Sequence, residues 1–378
     1  MRRISIVTVY ILILLAVASY ADAKIYFDVI PGQSYKKMTI ATPPFKGQGG
    51  ESQARDMAEL LRKDLDFSGF FIVAPPTLID KQLSDEGITR EEIQFGNWRS
   101  IGVEFVCKAK LQMVDGGLSL EAYLYDILDG SMVLAKRYRA KPDEWRKVTH
   151  KLADDIVYAV TGEKGIMSSR VVFVSGNQTQ RDVYIADMDG QNMHRVTNNR
   201  VITVSPSVSP DGRFAAFTSY REGRPNVYIM DLAKNQEVYA DRNDGIKVGT
   251  SWKGRSFAYA RTSGRTSEIV LVDAESKSRQ TVMKQDGILA SPSFSPDGSK
   301  LAFVSDRFGG PQIFVKDMSS GDTKRLTYSG NNNTAPVFSP KGNMIAFSCS
   351  TGGNFEICIM NSDGSNQRIL TDGGFNDS

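Results

Sequence analysis

Five short stretches in the second half of the chain are copies of one another: residues 171–175, 215–219, 257–261, 301–305 and 345–349. Their central aromatics, Phe173, Phe217, Tyr259, Phe303 and Phe347, stand 44, 42, 44 and 44 residues apart. Asp187, Asp231, Asp273, Asp317 and Asn361 repeat with the same steps. The turn glycines Gly212, Gly254, Gly298 and Gly342 follow at 42, 44 and 44. A fixed period of about 43 residues means stacked copies of one supersecondary unit, each too small to bury its apolar face alone.

Each unit reads as four short strands. The first is residues 205–209, 291–295 or 335–339, and a turn follows it: Ser209-Pro210-Asp211-Gly212, Ser295-Pro296-Asp297-Gly298 or Ser339-Pro340-Lys341-Gly342. Proline presets φ, aspartate bonds back to the turn backbone, and glycine takes the position with φ > 0. The small-and-aromatic stretch is the second strand. Residues 227–231, 313–317 and 357–361 are the third. A short fourth ends in Val196-Thr197, Leu326-Thr327 or Leu370-Thr371. Four strands per repeat of this length predict a β-propeller, whereas a β-helix or a leucine-rich repeat needs a much shorter period.

The first half carries no such repeat. It opens with Arg2-Arg3, an apolar run over residues 4–18 and Ala21-Asp22-Ala23, the pattern of an export signal spanning residues 1–23. The run is shorter than the ~20 residues of a spanning helix, and no later run is long enough to cross a membrane. Cleavage would make Lys24 the first residue, with no cysteine there to carry a lipid. Beyond it the pattern predicts a strand at residues 37–42, then a helix at 54–67 with Ala54, Met57, Ala58, Leu61 and Leu65 on one face. A strand at 70–74 follows. Residues 101–113 and 118–127 flank Asp115-Gly116-Gly117 as a hairpin, and a further strand covers 132–138. A helix at 143–160, with Trp145, Val148, Leu152, Ile156 and Val160 on one face and closed by Gly162, completes a small α+β domain over residues 24–162. A linker at 163–169 then leads to an all-β propeller over 170–378.

Signals for chemistry are sparse. The chain of 378 residues has 46 basic and 43 acidic side chains, so no basic excess points to nucleic acid. There is no Gly-x-Ser-x-Gly elbow, no phosphate-binding glycine loop and no dinucleotide fingerprint. The histidines are His150 and His194. The first reads as a solvated or half-buried helix residue. The second follows Asp187-Met188-Asp189-Gly190, a plain hairpin turn that lacks the further oxygens of a calcium loop. No cofactor or metal is expected. Cys349 and Cys358 flank one predicted hairpin, within reach of each other. The simpler reading makes them, with Cys107, three small buried apolar side chains. An odd count in an oxidising compartment leaves at least one thiol free.

Residues 291–307, Ser-Pro-Ser-Phe-Ser-Pro-Asp-Gly-Ser-Lys-Leu-Ala-Phe-Val-Ser-Asp-Arg, resemble the P-S-W-S-P-D-G-x-x-L-A-F-x-S-x-R repeat of the TolB-type propeller family. The segments 311–315 and 324–327 match it too, as do Ile25-Tyr26-Phe27-Asp28 and residues 98–104 in the first half. The resemblance covers the chain after the export signal. It implies a periplasmic, non-enzymatic subunit of the Tol-Pal system, assisting outer-membrane integrity and constriction at division. The competing readings are the propeller of a secreted peptidase or another ligand-binding periplasmic propeller. Family partners would be the Pal lipoprotein and TolA. Pal is expected on the loops that enter the first strand of each unit. Asp244, Lys247, Ala290, Asn332, Asn333 and Thr334 lie there, and Asn332-Asn333-Thr334-Ala335-Pro336 is similar to the family's N-N-T-x-P loop. TolA is expected on Lys24, Ile25, Tyr26, Phe27, Asp28 and Val29, whose alternating pattern suits an edge strand.

Second, third and fourth strands occur five times, but a first strand occurs only four times. The family has six blades. Residues 371–378 align with 327–334, after which the earlier unit opens a first strand. The expectation is a chain incomplete at its C-terminus, five blade-like units long, with a gap beside the first. The alternative is a closed five-bladed ring.

Overall fold

The computed structural model describes residues 36–351 and 354–371. The expected export signal and residues 24–29 lie outside them. The chain divides into two compact units between Ser169 and Arg170.

The first unit is built on one sheet. Its strands are β1 (Met38–Ala41), β2 (Lys46–Gln48), β3 (Phe71–Val73), β4 (Phe105–Val114), β5 (Gly117–Asp126) and β6 (Met132–Ala140). The order is β3-β1-β4-β5-β6, with β2 also paired to β4. β1 runs parallel to β3 and β4, while β4, β5 and β6 form an antiparallel meander. Two 17-residue helices, α1 (Glu51–Phe67) and α4 (Trp145–Thr161), cover one face. Their expected apolar stripes are buried, Ala54, Met57, Ala58, Leu61 and Leu65 on α1 and Val148, Leu152, Ile156 and Val160 on α4, except that Trp145 at the start of α4 is half-buried. Gly162 ends α4 in the left-handed region at φ 73°. Residues 163–169 are tied back onto this helix, because the Asp154 carboxylate accepts from the Met167 and Ser168 N–H groups at 2.7 and 2.9 Å.

His150 is a correction to the sequence reading. It is buried, and its Nδ1 donates to Asp64 Oδ2 at 2.8 Å, joining α4 to α1. Two short helices went unread, α2 (Lys81–Asp85) and α3 (Phe95–Ser100). Both are too short to show a helical period.

Among its described residues the second unit holds five sheets in sequence. The first is β7 (Arg170–Gly176), β8 (Arg181–Asp187) and β9 (His194–Arg195). Next come β10 (Thr203–Val208), β11 (Phe214–Ser219), β12 (Asn226–Asp231) and β13 (Gln236–Asp241), then β14 (Ile246–Lys253), β15 (Ser256–Ser263), β16 (Thr266–Asp273) and β17 (Arg279–Asp286). The fourth sheet is β18 (Leu289–Phe294), β19 (Lys300–Ser305), β20 (Gln312–Asp317) and β21 (Thr323–Arg325). The fifth is β22 (Asn333–Phe338), β23 (Met344–Thr351), β24 (Asn354–Asn361) and β25 (Arg368–Ile369). Every pairing is antiparallel, as a blade requires. The apolar cores lie between consecutive blades: Phe217 and Tyr228 pack with Val183 and Ile185, and Phe257 and Tyr259 with Phe214 and Ile229. The first sheet has three strands, and among the described residues none pairs with the outer side of β7 or joins the first sheet to the fifth.

The turn chemistry is as read: Asp211 and Asp297 accept from the Arg213 and Ser299 N–H groups, and Gly212, Gly298 and Gly342 stand at φ 69–73°. The serines add a bond that was not read: Ser209 Oγ accepts from Phe214 N–H, Ser295 Oγ from Lys300 N–H and Ser339 Oγ from Met344 N–H. The first strands read at 205, 291 and 335 each begin two residues earlier, and all four first strands carry a bulge, at Ser205, Gly249, Ser291 or Ala335, all at φ between 48° and 70°. Serine and alanine give no signal for a left-handed backbone, so the bulge was invisible.

Cys349 and Cys358 form a disulfide, which overturns the preferred reading of three apolar thiols. Cys349 pairs with Glu356 in the β23–β24 ladder, so Cys358 lies diagonally across on the same face. Its Cα is 5.9 Å away, within bonding reach. Cys107 is buried and free, and burial pushes its thiol up to about 12.

Candidate partner-binding surface

The loops from the fourth strand of one blade into the first strand of the next lie beside the loops joining second and third strands. Tyr220 N–H donates to Ile202 O at 3.1 Å and Asn333 N–H to Pro311 O at 2.9 Å, so both loop sets share one face of the propeller.

What holds this face is a polar residue within the first three positions of the third strand of every blade: Asp182, Asn226, Glu268, Gln312 and Glu356. All five are buried. A buried polar group must find partners, and Asp182, Gln312 and Glu356 find one in a threonine that follows the fourth strand. Thr197 Oγ donates to Asp182 at 2.8 Å, Thr327 Oγ to Gln312 at 2.6 Å and Thr371 Oγ to Glu356 at 2.6 Å. The same three hydroxyls accept from the N–H groups of Val183, Ile313 and Ile357 at 2.9–3.0 Å. Each threonine therefore clips the fourth strand to the third. The sequence reading missed this set, although its members repeat at 44, 42, 44 and 44.

The expected contact residues divide in two. Lys247 and Asn333 occupy the same place in their blades, and both are buried. Lys247 Nζ donates to Asn226 Oδ1 and Gly245 O, each at 3.1 Å, and also to Asn243 O. Burial lowers its pKa. Asn333 Nδ2 donates to Gln312 Oε1 at 3.0 Å and Ser329 O at 2.9 Å. These two side chains shape the loops from inside. Asp244 is exposed and paired with Arg224 at 2.9 Å. Ala290, Asn332 and Thr334 are half-buried. Large apolar side chains exposed on this face are Ile246, Ile288, Phe308 and Tyr328, none of them expected from sequence as a contact residue. Arg325 lies 4.8 Å from the Tyr328 ring and 5.9 Å from that of Phe308. Among the described residues no three histidines, cysteines or carboxylates cluster as metal ligands, and no helix is long and apolar enough to cross a membrane.

An α/β domain followed by blades of this repeat defines a two-domain propeller protein. Residues 29–133 match the TolB amino-terminal domain and residues 157–378 the TolB beta propeller domain. The chain belongs to the TolB family. It is 34% identical over 288 residues to a Protein TolB homolog of Chlorobium luteolum, covering 76% of this chain and 65% of that protein. It is 30% identical over 318 residues to the Tol-Pal system protein TolB of Bordetella parapertussis, covering 82% and 70%. The crystal structure of TolB from Acinetobacter baumannii superposes with a TM-score of 0.77 at 25% identity, over 91% of this chain and 85% of that one. The chain thus spans under two thirds of the Chlorobium luteolum protein's length.

Proposed function

We propose that the chain works as a non-enzymatic periplasmic component of the Tol-Pal system. The propeller takes the Pal lipoprotein on the loop face that presents Ile246, Ile288, Phe308 and Tyr328. The segment of residues 24–29 engages TolA. By joining both partners the protein supports outer-membrane integrity and invagination at division. The observation that carries this reading is the match to both family domains, in family order, along one chain.

The experiment is binding of purified protein to the soluble domains of Pal and TolA. Both are expected to bind. Replacing the exposed Ile246 and Ile288 with glutamate weakens Pal alone, because desolvated apolar side chains dominate such interfaces. Deleting residues 24–29 removes TolA binding and leaves Pal binding intact. Buried Lys247 and Asn333 are unsuitable probes, since their loss disturbs the loops themselves. Absence of binding to either partner overturns the reading.

A further inference from the structure

The sheet of the first unit ends at β6, a nine-residue strand whose outer side pairs with no strand among the described residues. Such an edge presents a row of backbone donors and acceptors, a ready template for another strand. From Ser131 to Pro142 the chain has no acidic residue, yet it carries Lys136, Arg137, Arg139 and Lys141. β6 pairs with β5 without interruption from Leu134 to Ala140, so its faces alternate cleanly there. Ala135, Arg137 and Arg139 point to one face. On the other, Lys136 and the Tyr138 hydroxyl meet Asp155 of α4 at 2.9 and 2.8 Å.

Cations on an edge strand guard against pairing with a second copy, because like charges opposite each other repel. That protection fails against a strand of the opposite sign. Arg137 is matched by one carboxylate, Glu121, at 3.1 Å. Arg139 stands opposite Ser119 and is exposed, with no ion pair among the described residues. The geometry points to β6 as a docking edge for an extended acidic segment of another protein. Added as a further strand, that segment would set carboxylates at alternate positions beside Arg137 and Arg139. Main-chain bonds to the free edge supply affinity and the charge row selects the partner. A flat anionic membrane would meet the cations but leave the backbone row unused.

The test uses two capped nonapeptides, one alternating glutamate with valine and threonine, the other with lysine in place of glutamate. Hydrogen exchange of the intact protein is followed at residues 132–140. The acidic peptide is expected to slow exchange in β6, and 0.5 M salt to reverse the effect, since surface charges are screened there. Arg139→Glu weakens binding roughly threefold, and Arg137→Glu with Arg139→Glu roughly tenfold, as cross-strand attraction turns to repulsion. Arg139→Gln gives a smaller loss, and its unfolding midpoint checks that the sheet is intact. Equal response to both peptides, protection elsewhere than β6, or none at millimolar peptide overturns the proposal. So does binding to phosphatidylglycerol vesicles without peptide protection of β6.

Discussion

Single residues decide how each blade closes. Thr327 Oγ both donates to Gln312 Oε1 and accepts from Ile313 N–H, in a buried setting. Valine has the same shape and neither function. Thr327→Val takes the hydroxyl partner from the buried Ile313 N–H and leaves the Gln312 oxygen with Asn333 Nδ2 as donor, at a cost of about 1–3 kcal/mol. Urea unfolding of the variant against the parent reads this directly; a change within error would show that the hydroxyl is dispensable. The threonines themselves were legible as strand ends. Their partners were not, for a physical reason. A polar residue opening a strand looks like the end of a loop, so the third strands were read from the following Val227, Ile313 and Ile357. Only the repeat spacing, applied to polar positions, would have marked Asn226, Gln312 and Glu356. The cysteines went the same way: spacing placed Cys349 and Cys358 within reach, but only the register put them diagonally opposite.

Elements with a clear period were legible, and elements without one were not. The amphipathic stripes of α1 and α4, the hairpin of β4 and β5 and all the small-aromatic strands followed from pattern alone. Residues 76–100 show no period, and a buried polar cluster holds them on the sheet instead. Lys108 on β4 donates to Leu83 O at 2.6 Å and pairs with Glu86 at 3.2 Å. Glu86 in turn accepts from Trp98 Nε1 at 2.6 Å and Gln94 N–H at 3.1 Å. Burial draws the Lys108 pKa down while the Glu86 charge holds it up. Lys108→Met strands the Glu86 carboxylate and should cost about 3 kcal/mol. Lys108→Met with Glu86→Gln removes both charges and should recover most of that loss. Two equally destabilised variants would show that packing, not charge, makes the clamp. The comparison needs thermal unfolding followed at the Trp98 side chain, which the cluster encloses.

At the scale of the molecule, the repeat copies one acid-sensitive device through the propeller. Asp211 and Asp297 cap the turns after the first strands; Asp273 and Asp317 cap those after the third. The hydroxyls of Ser209, Ser295 and Ser319 and the N–H of Ser276 bond to the ionised forms and hold all four carboxyls below their ordinary 3.8. Asp297 and Asp317 fall to about 2. A carboxyl depressed in the folded state binds its proton more weakly there than in the unfolded chain. Its contribution is therefore fully present above the unfolded value and is lost as the pH drops toward the folded one. Each site is too exposed to matter much alone, but the four titrate together. The urea midpoint should thus rise with pH between about 2 and 4. Asparagine at all four positions keeps an acceptor oxygen for the turn backbone and removes the titration. That variant should show a shallower rise across the same window, measured by circular dichroism of the β signal. Identical slopes for parent and variant would place the acid sensitivity outside the repeated turns. It would then fall to carboxylates of the first unit such as Asp155, whose burial opposes ionisation while Lys151, Lys136 and Tyr138 favour it.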